Sequence, residues 1–486
     1  MRLTDLIDGP APGIEIAGLT ADSREVRPGW MFAALAGSKT DGVRFVDDAL
    51  ARGATAVLSS PDSALADRLA KAGIALVTDE RPRARLAFIA TRFFGPGPET
   101  VAAVTGTNGK TSVASFTRQI WARLGVSAAS LGTLGVVAPD YYQPLNHTSP
   151  DPIVLHRLLA DLKRRGVDHL AIEASSHGLD QCRLEALRPV AGAFTNLTRD
   201  HLDYHPNVEA YFAAKMRLFD ELIAPGGTAV INADSEWFNR VVAVADARRL
   251  RVVGYGAAGR ELHIRSLEPH AQGLRVDADL YGRTRRIELP LVGAFQAANA
   301  LCALGLVVAC GGDIDAAIAA LDHLEGVPGR MQWVATTAAG APIFIDYAHT
   351  PDALQTVLKA LRPHAAGRLV VVFGCGGDRD RGKRPMMGRI ATDLADTVYV
   401  TDDNPRSEAP AAIRAEILAT APGAIEIGDR ADAILAAVKS LGPSDVLVVA
   451  GKGHEQGQIV GATVRPFDDA TIARDAATSR RNGTLH

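Results

Sequence analysis

The chain has 486 residues, with 52 Lys and Arg against 55 Asp and Glu, a net charge of −3. At about 150 residues per domain, this length predicts about three domains and excludes a single small core. With no basic surplus and an aromatic content of 5%, neither bulk electrostatic binding of nucleic acid nor stacking platforms for single strands are expected.

Cys182, Cys302, Cys310 and Cys375 are too few for a disulfide framework, and none forms a CxxC pair. Reduced thiols in a cytoplasmic protein are expected. Residues 1–6 begin no apolar signal stretch, and no run reaches the roughly 18 apolar residues of a membrane span.

Residues 1–98 read as short strands and helices, with a helix over 45–52 and a buried strand over 54–58. Gly95-Pro96-Gly97-Pro98 breaks both periodicities and predicts a linker. The apolar run 101–104 then meets a glycine-containing loop and a helical stretch over 112–124, the opening of a parallel α/β unit. Val154, Leu155, Leu158, Leu159 and Leu162 share one helical face and predict a helix over 153–165. His169–Glu173, 190–196 and 228–231 read as buried strands, and 295–310 as a long Ala-rich helix. A second break falls at Gly326-Val327-Pro328-Gly329. Beyond it, strand-like runs at 343–346, Leu369–Phe373, 398–401 and Val446–Ala450 alternate with helical patterns such as 353–362. The expected fold class is α/β in three domains. A small α/β domain spans 1–98, a central P-loop-type, mostly parallel sheet 99–328, and a Rossmann-like domain 329–486.

Thr105-Gly106-Thr107-Asn108-Gly109-Lys110-Thr111-Ser112 lies at the first strand-to-helix junction of the central part. Glycines let successive N–H groups turn inward on an anion. A helix N-terminus adds about half a positive charge. Lys110 can reach outer phosphates, and Thr111 can ligate Mg²⁺. Val104 stands where the full GxxxxGK[ST] pattern needs glycine, so the loop is a compact GxxGKT. Glu173 ends an apolar strand, where α/β sheets hold ligands, and a carboxylate there suits Mg²⁺. Lys215, in Tyr211-Phe212-Ala213-Ala214-Lys215-Met216-Arg217, reads by itself as a solvated helix lysine.

TGTNGKTS resembles the ATP loop of the Mur ligases; the related folylpolyglutamate synthases carry similar loops. The resemblance continues through five further motifs and covers essentially the whole chain. It implies ATP contacts from Gly106, Thr107, Asn108, Gly109, Lys110, Thr111 and Ser112. Further contacts would come from Asn299, Arg330, and the Asp346 and His349 of Asp346-Tyr347-Ala348-His349-Thr350-Pro351-Asp352. The stretch Thr195-Asn196-Leu197-Thr198-Arg199-Asp200-His201 is similar to the one that supplies a metal-ligating histidine, here His201. Lys215 corresponds to the family's carbamylated lysine; the carbamate would join Thr111, Glu173 and His201 around Mg²⁺. Lys110, Lys215 and His201 are the implied catalytic residues.

The substrate ends follow by the same likeness. Thr20-Ala21-Asp22-Ser23-Arg24 and Gly37-Ser38-Lys39-Thr40-Asp41-Gly42 are similar to uridine-site segments, with Ser38 and Lys39 where the commoner version has His-Gln. Asn146-His147-Thr148-Ser149-Pro150-Asp151 resembles the segment that holds the muramyl-dipeptide, and Ser175, Gln181 and Arg183 match its other contacts. Asp403-Asn404-Pro405-Arg406 resembles the motif of members that add meso-diaminopimelate, and Arg379, Gly451 and Glu455 agree with it. The far end of diaminopimelate carries a carboxylate and an ammonium. A guanidinium fork at Arg406 matches the carboxylate bidentately, and Glu455 suits the ammonium. Lysine lacks that carboxylate and would leave the arginine unpaired, at about 1–3 kcal/mol.

The resemblance therefore implies an ATP-dependent amide ligase of peptidoglycan precursor synthesis. It would activate the D-glutamate of UDP-N-acetylmuramoyl-L-alanyl-D-glutamate as an acyl phosphate and join it to meso-diaminopimelate. ATP, Mg²⁺ and small-molecule substrates are expected, with no nucleic acid and no membrane span, in a cytoplasmic monomer. A folylpolyglutamate synthase would lack the uridine-site segments and the Asp-Asn-Pro-Arg motif. A non-catalytic nucleotide-binding protein would have lost Lys110, Glu173 or Lys215.

Overall fold

The computed structural model describes residues 1–9, 11–37, 40–270 and 273–479. Ser38 and Lys39 lie outside the described residues. Three sheets organise the chain, and a separate two-stranded hairpin completes it.

The first sheet has four strands in chain order, Gly18–Thr20, Trp30–Ala33, Ala56–Ser59 and Ala75–Thr78, all parallel. Side chains alternate across it. Met31, Ala33 and Leu58 join one core with Leu86 and Ile89, whereas Phe32, Ala34 and Val57 join another with Leu65 and Leu69. Both faces are therefore covered, as parallel sheets require. The expected helix over 45–52 is a 3₁₀ turn, Gly42–Phe45, continued by Val46–Ala51.

The central sheet has 11 strands. Its middle is parallel: Ala128–Gly132, His169–Glu173, Thr100–Thr105, Ala191–Phe194, Thr228–Asn232 and Arg251–Gly256 lie side by side in that order. Arg251–Gly256 also pairs in parallel with the start of Leu262–His270, to which Gly273–Leu280 and Arg283–Leu289 add in antiparallel order, and shorter antiparallel strands extend the other edge. In Gly273–Leu280, Leu274, Val276, Ala278 and Leu280 face the core while the residues between them are half-exposed. That period of two marks a strand with one buried face.

The third sheet has six strands in the order Gln332–Thr336, Pro342–Asp346, Val446–Ala450, Leu369–Phe373, Thr397–Val400, Ile425–Glu426. All but the first are parallel. The α/β class expected from the sequence is the one observed, with the central sheet mostly parallel.

Helix boundaries moved where caps decide them. The helix expected over 112–124 is Lys110–Arg123, because Gly109 takes a left-handed φ of +89° and starts the helix two residues earlier. The one expected over 153–165 is Pro152–Arg164; Asp151 accepts from Ile153 N and Val154 N, and proline occupies the first turn. Thr350 likewise caps Pro351–Leu361. Among the described residues no helix is long and apolar enough to cross a membrane. All four cysteines are free.

Candidate active site

Most site segments leave the C-terminal end of a parallel strand, where the strands stop and loops converge, whereas Lys215 and Asn299 stand on helices. Thr100–Thr105 delivers Gly106 to Gly109, and His169–Glu173 delivers Glu173 and Ser175. In the third sheet, Pro342–Asp346 delivers Asp346 to Thr350 and Leu369–Phe373 delivers 374–380. Thr397–Val400 delivers 403–406, and Val446–Ala450 delivers 451–455.

Two cavities result, of about 550 and 540 Å³. The first is lined by Thr107 to Ser112, Glu173, Ser175, Arg183, Lys215, Asn299, Arg330, Asp346 and Asp352. The second is lined by Arg379, Asp403, Asn404, Arg406, Gly451 and Glu455. His177, Asp200, His201, Tyr347 and His349 line both. The two spaces thus share one wall, and a molecule in one is next to a molecule in the other.

The phosphate loop is tightly packed. A Cβ on Gly106 would fall on Thr195 Oγ1, and one on Gly109 would lie 2.6 Å from Asn299 Oδ1. Lys110 Nζ folds back to donate to Gly106 O at 2.8 Å and Thr107 O at 2.7 Å. Lys215 Nζ donates to the same Gly106 O at 2.8 Å and lies 4.3 Å from the centre of the Tyr211 ring. The solvated lysine expected from sequence alone is corrected here: Lys215 is 1% exposed. Burial pushes its ammonium well below the ordinary range, and the neighbouring Lys110 adds to the effect. Lys110 is also lowered, mainly by burial.

Glu173 is buried and accepts from Thr133 N at 2.7 Å and Thr133 Oγ1 at 3.0 Å. His201 has a φ of +54°, which turns its ring into the cleft against His177, with centroids 4.9 Å apart. Its imidazole is pushed down to about 4 by desolvation, against the opposing pull of Asp200. A neutral imidazole keeps a free lone pair for a cation. Among the described residues no three His, Cys, Asp or Glu side chains gather as a metal cluster. The expected donors are the Glu173 carboxylate, the His201 imidazole, the Thr111 hydroxyl and a modifiable lysine, and the Asp200 carboxylate lines the same space. This set fits a hard ion that completes its shell with phosphate oxygens and water, and it does not fit a closed protein cage.

From the third sheet, Arg330 Nη2 donates to Thr111 Oγ1 at 3.2 Å while its guanidinium lies 4.4 Å from the centre of the Tyr347 ring. Asp346 accepts from Met331 N and Ala348 N, and burial raises its carboxyl to about 6. His349 Nδ1 lies 2.8 Å from Tyr347 O, and Asn108 Nδ2 donates to Asp352 Oδ2 at 3.3 Å.

Residues expected at the muramyl-dipeptide gather on one side. Thr148 Oγ1 pairs with Thr133 Oγ1, Ser149 Oγ with Ser175 Oγ, and Arg183 Nη1 donates to Ser149 O at 2.6 Å. Gln181 lines neither cavity; it holds Arg183 from behind through Oε1, 2.7 Å from Nη2. Gly106 lies under the loop rather than on the cavity wall, and Pro405 is buried below Arg406. Ser23 lies in neither cavity but in the 3₁₀ turn Ser23–Glu25 of the first sheet's unit.

In the second cavity, Arg406 has a φ of +53° and donates to Gly377 O at 2.9 Å. Asn404 Nδ2 holds Glu455 Oε2 at 2.9 Å, and the fully buried Lys452 donates to Asn404 Oδ1 at 2.8 Å. Sequence reasoning missed Thr133, Asp200, Tyr347, Lys383 and Lys452. Asp200 and Tyr347 lie inside quoted motifs and Lys452 falls between Gly451 and Glu455, where attention to the other polar members would have found them.

The fold and this arrangement define a three-sheet α/β protein with a phosphate loop facing loops of a second nucleotide-binding-type sheet. Three family models match: "Mur ligase family, catalytic domain" over 15–94, "Mur ligase middle domain" over 104–307, and "Mur ligase, glutamate ligase domain" over 329–453. The chain belongs to the Mur ligase family. It is 50% identical to the UDP-N-acetylmuramoyl-L-alanyl-D-glutamate–2,6-diaminopimelate ligase of Mesorhizobium japonicum, over 99% of this chain and 100% of that one. A solved structure of a ligase of the same name superposes with a TM-score of 0.72 at 33% identity, covering 99% of both chains. The MurF ligase of Thermotoga maritima, solved in complex with ADP, shares the fold at a TM-score of 0.64 and 20% identity, covering 90% of this chain and 94% of that one.

Proposed function

We propose that the protein is the ligase that joins meso-diaminopimelate to the D-glutamate of UDP-N-acetylmuramoyl-L-alanyl-D-glutamate in peptidoglycan precursor synthesis, using ATP. The observation that carries this reading is the shared wall of the two cavities. Lys110 and the phosphate loop stand on one side, Arg379, Arg406 and Glu455 on the other.

A carboxylate does not condense with an amine near neutral pH, because its leaving group would be oxide. Transfer of the γ-phosphoryl group gives an acyl phosphate, and the amine then displaces phosphate. The loop amides and Lys110 would orient and neutralise the phosphates; Asn299, Arg330, Asp346 and His349 would hold the nucleotide. Thr111, Glu173, His201 and a carbamylated Lys215 would hold Mg²⁺, which spreads the phosphates' charge when bound. Thr148, Ser149, Ser175, Gln181 and Arg183 would hold the muramyl-dipeptide, and Ser23 the uridine end. Arg379, Arg406 and Asn404 would take the far carboxylate, Glu455 the far ammonium, with Asp403, Pro405 and Gly451 shaping the loops. Walls from two sheets exclude water from an intermediate that water would destroy.

Domain limits near 98 and 328 belong to the same reading, supported by three separate sheets. So does a cytoplasmic monomer, for which soluble small-molecule substrates are the support. The folylpolyglutamate alternative is disfavoured by the Asp403-Asn404-Pro405-Arg406 loop and its cavity.

The test is amide formation with the UDP-dipeptide, ATP, Mg²⁺ and either diaminopimelate or lysine. Diaminopimelate should be used at least about 100-fold more efficiently, the scale of one unpaired buried charged group. Equal turnover of the two would overturn the specificity. Arg406→Ala should raise KM for diaminopimelate and leave KM for ATP nearly unchanged.

A further inference from the structure

Two loops carry the arginines of the second cavity, 374–380 with Arg379 and 403–408 with Arg406. They are laced together. Gly377 N donates to Asn404 O at 2.9 Å, Arg406 Nη1 to Gly377 O at 2.9 Å, and Ser407 N and Oγ to the Asp378 carboxylate at 3.1 and 2.6 Å. A Cβ on Gly377 would fall on Pro405 O, so the backbones touch. Asp378 and Arg406 both hold a φ of +53°, a conformation that L residues keep only when their surroundings impose it.

Beneath this contact lies Arg384, whose side chain is wholly buried. It grips Glu408 bidentately, Nη2 to Oε1 at 2.8 Å and Nη1 to Oε2 at 2.9 Å. It also donates to Gly376 O at 3.2 Å and to Glu416 Oε2 at 2.9 Å. Glu408 Oε1 in turn accepts from Asp378 N at 2.6 Å. Arg384 therefore touches the first loop directly at Gly376, and reaches it again through Glu408 and Asp378. Its position opposes a role in its own helix. Arg384 is the second residue of Lys383–Leu394, and a cation is disfavoured at a helix N-terminus. Two carboxylates, neither of them from that helix, offset the cost.

We propose that Arg384 and Glu408 are a positioning pair for diaminopimelate: they fix the separation of the loops bearing Arg379 and Arg406, and so the length of dicarboxylate that the cavity accepts. The proposal rests on the diaminopimelate reading above. Neither residue touches the substrate; both act through the two arginines. Three of the roughly four acceptor positions of the Glu408 carboxylate are taken, two by Arg384 and one by Asp378 N of the first loop, and this holds the arrangement in place. Burial of the guanidinium also makes each of these bonds costly to lose.

The test compares Glu408→Gln with Glu416→Gln. Both variants remove one carboxylate from Arg384, but only Glu408 bridges to the first loop. Glutamine at 408 can keep one oxygen where Oε1 accepts from Arg384 Nη2 and Asp378 N, but it then turns an N–H donor toward Arg384 Nη1, so the bidentate grip is lost. Initial rates are measured with diaminopimelate, lysine, ATP and the UDP-dipeptide each varied. Comparable use of lysine and diaminopimelate by the unchanged protein would overturn the functional reading itself, before any variant is compared. With that preference present, Glu408→Gln should raise KM for diaminopimelate about tenfold, with KM for ATP and UDP-dipeptide within about twofold. It should also narrow the preference over lysine, whereas Glu416→Gln should move KM for diaminopimelate less than about threefold. Arg384→Lys, which keeps the charge and loses the fork, should resemble Glu408→Gln. An unchanged KM for diaminopimelate in Glu408→Gln, or an equal rise for all substrates in both glutamine variants, would overturn the pair's positioning role.

Discussion

Lys215 shows how far a residue's chemistry depends on its surroundings. In the sequence it is one of 52 basic residues; in the fold it is buried against Gly106 O with its ammonium destabilised. A lysine that loses its proton is a nucleophile for carbon dioxide, and burial supplies that condition. Lys215→Ala is expected to lower kcat by at least about 100-fold, and millimolar formate or acetate should restore part of the rate by occupying the vacated anionic position. Rates that stay flat on adding either acid would remove the carbamate role. Asp346 makes a separate prediction. Its carboxyl is raised to about 6 from 3.8, burial being the largest cause. Between those values the folded chain binds more protons than the unfolded one. Stability therefore falls as pH rises through that window and levels off above about pH 6. The gap is worth about 3 kcal/mol. Asp346→Asn should flatten this part of the stability profile, read by urea unfolding at pH 4.5, 5.5 and 6.5. A variant profile parallel to the wild type would count against it.

At the scale of elements, the strand-to-loop junctions were the most legible. The apolar runs His169–Glu173, Leu369–Phe373 and Val446–Ala450 are strands over the expected residues. A run of small and β-branched residues flanked by turn residues has few other uses. The phosphate loop was legible too, because a glycine at a left-handed φ leaves a mark in the sequence. Gly106 has a φ of +143°, and any Cβ there collides with Thr195. Gly106→Ala should therefore lower kcat/KM for ATP by at least about 100-fold while the far-ultraviolet spectrum stays unchanged; a loss under about twofold would show that the loop tolerates the shift. Less legible were the edge strands Leu262–His270, Gly273–Leu280 and Arg283–Leu289 of the central sheet and the hairpin 457–466. The period of two in Gly273–Leu280 was readable but its partners were not, since pairing of distant or exposed strands is not written in either strand alone.

Across the whole molecule, contacts between the three sheets decide what the site can be. Arg81, from the first sheet's unit, meets Glu185 at 2.7 Å and Glu221 at 2.9 Å, and Arg217 grips the same two carboxylates. This cluster fixes the helix that carries Lys215, two residues before Arg217, against the segment that carries Gln181 and Arg183. Glu185 is 7% exposed, and its loss leaves two guanidinium groups around one remaining acid. Glu185→Ala should cost about 2–4 kcal/mol and speed proteolytic cleavage near 95–98. Unfolding within about 0.5 kcal/mol of the wild type would show the cluster to be idle. The sequence by itself determined the α/β class, the phosphate loop and the segments that carry each group of site residues, because those signals are local: a glycine's φ, an apolar run, a cap. Only the tertiary structure decided that two cavities share one wall, that Lys215 is dry rather than solvated, and that Arg384 ties two loops together. Those properties arise from residues far apart in the chain, whose burial and spacing exist only once the three sheets have packed.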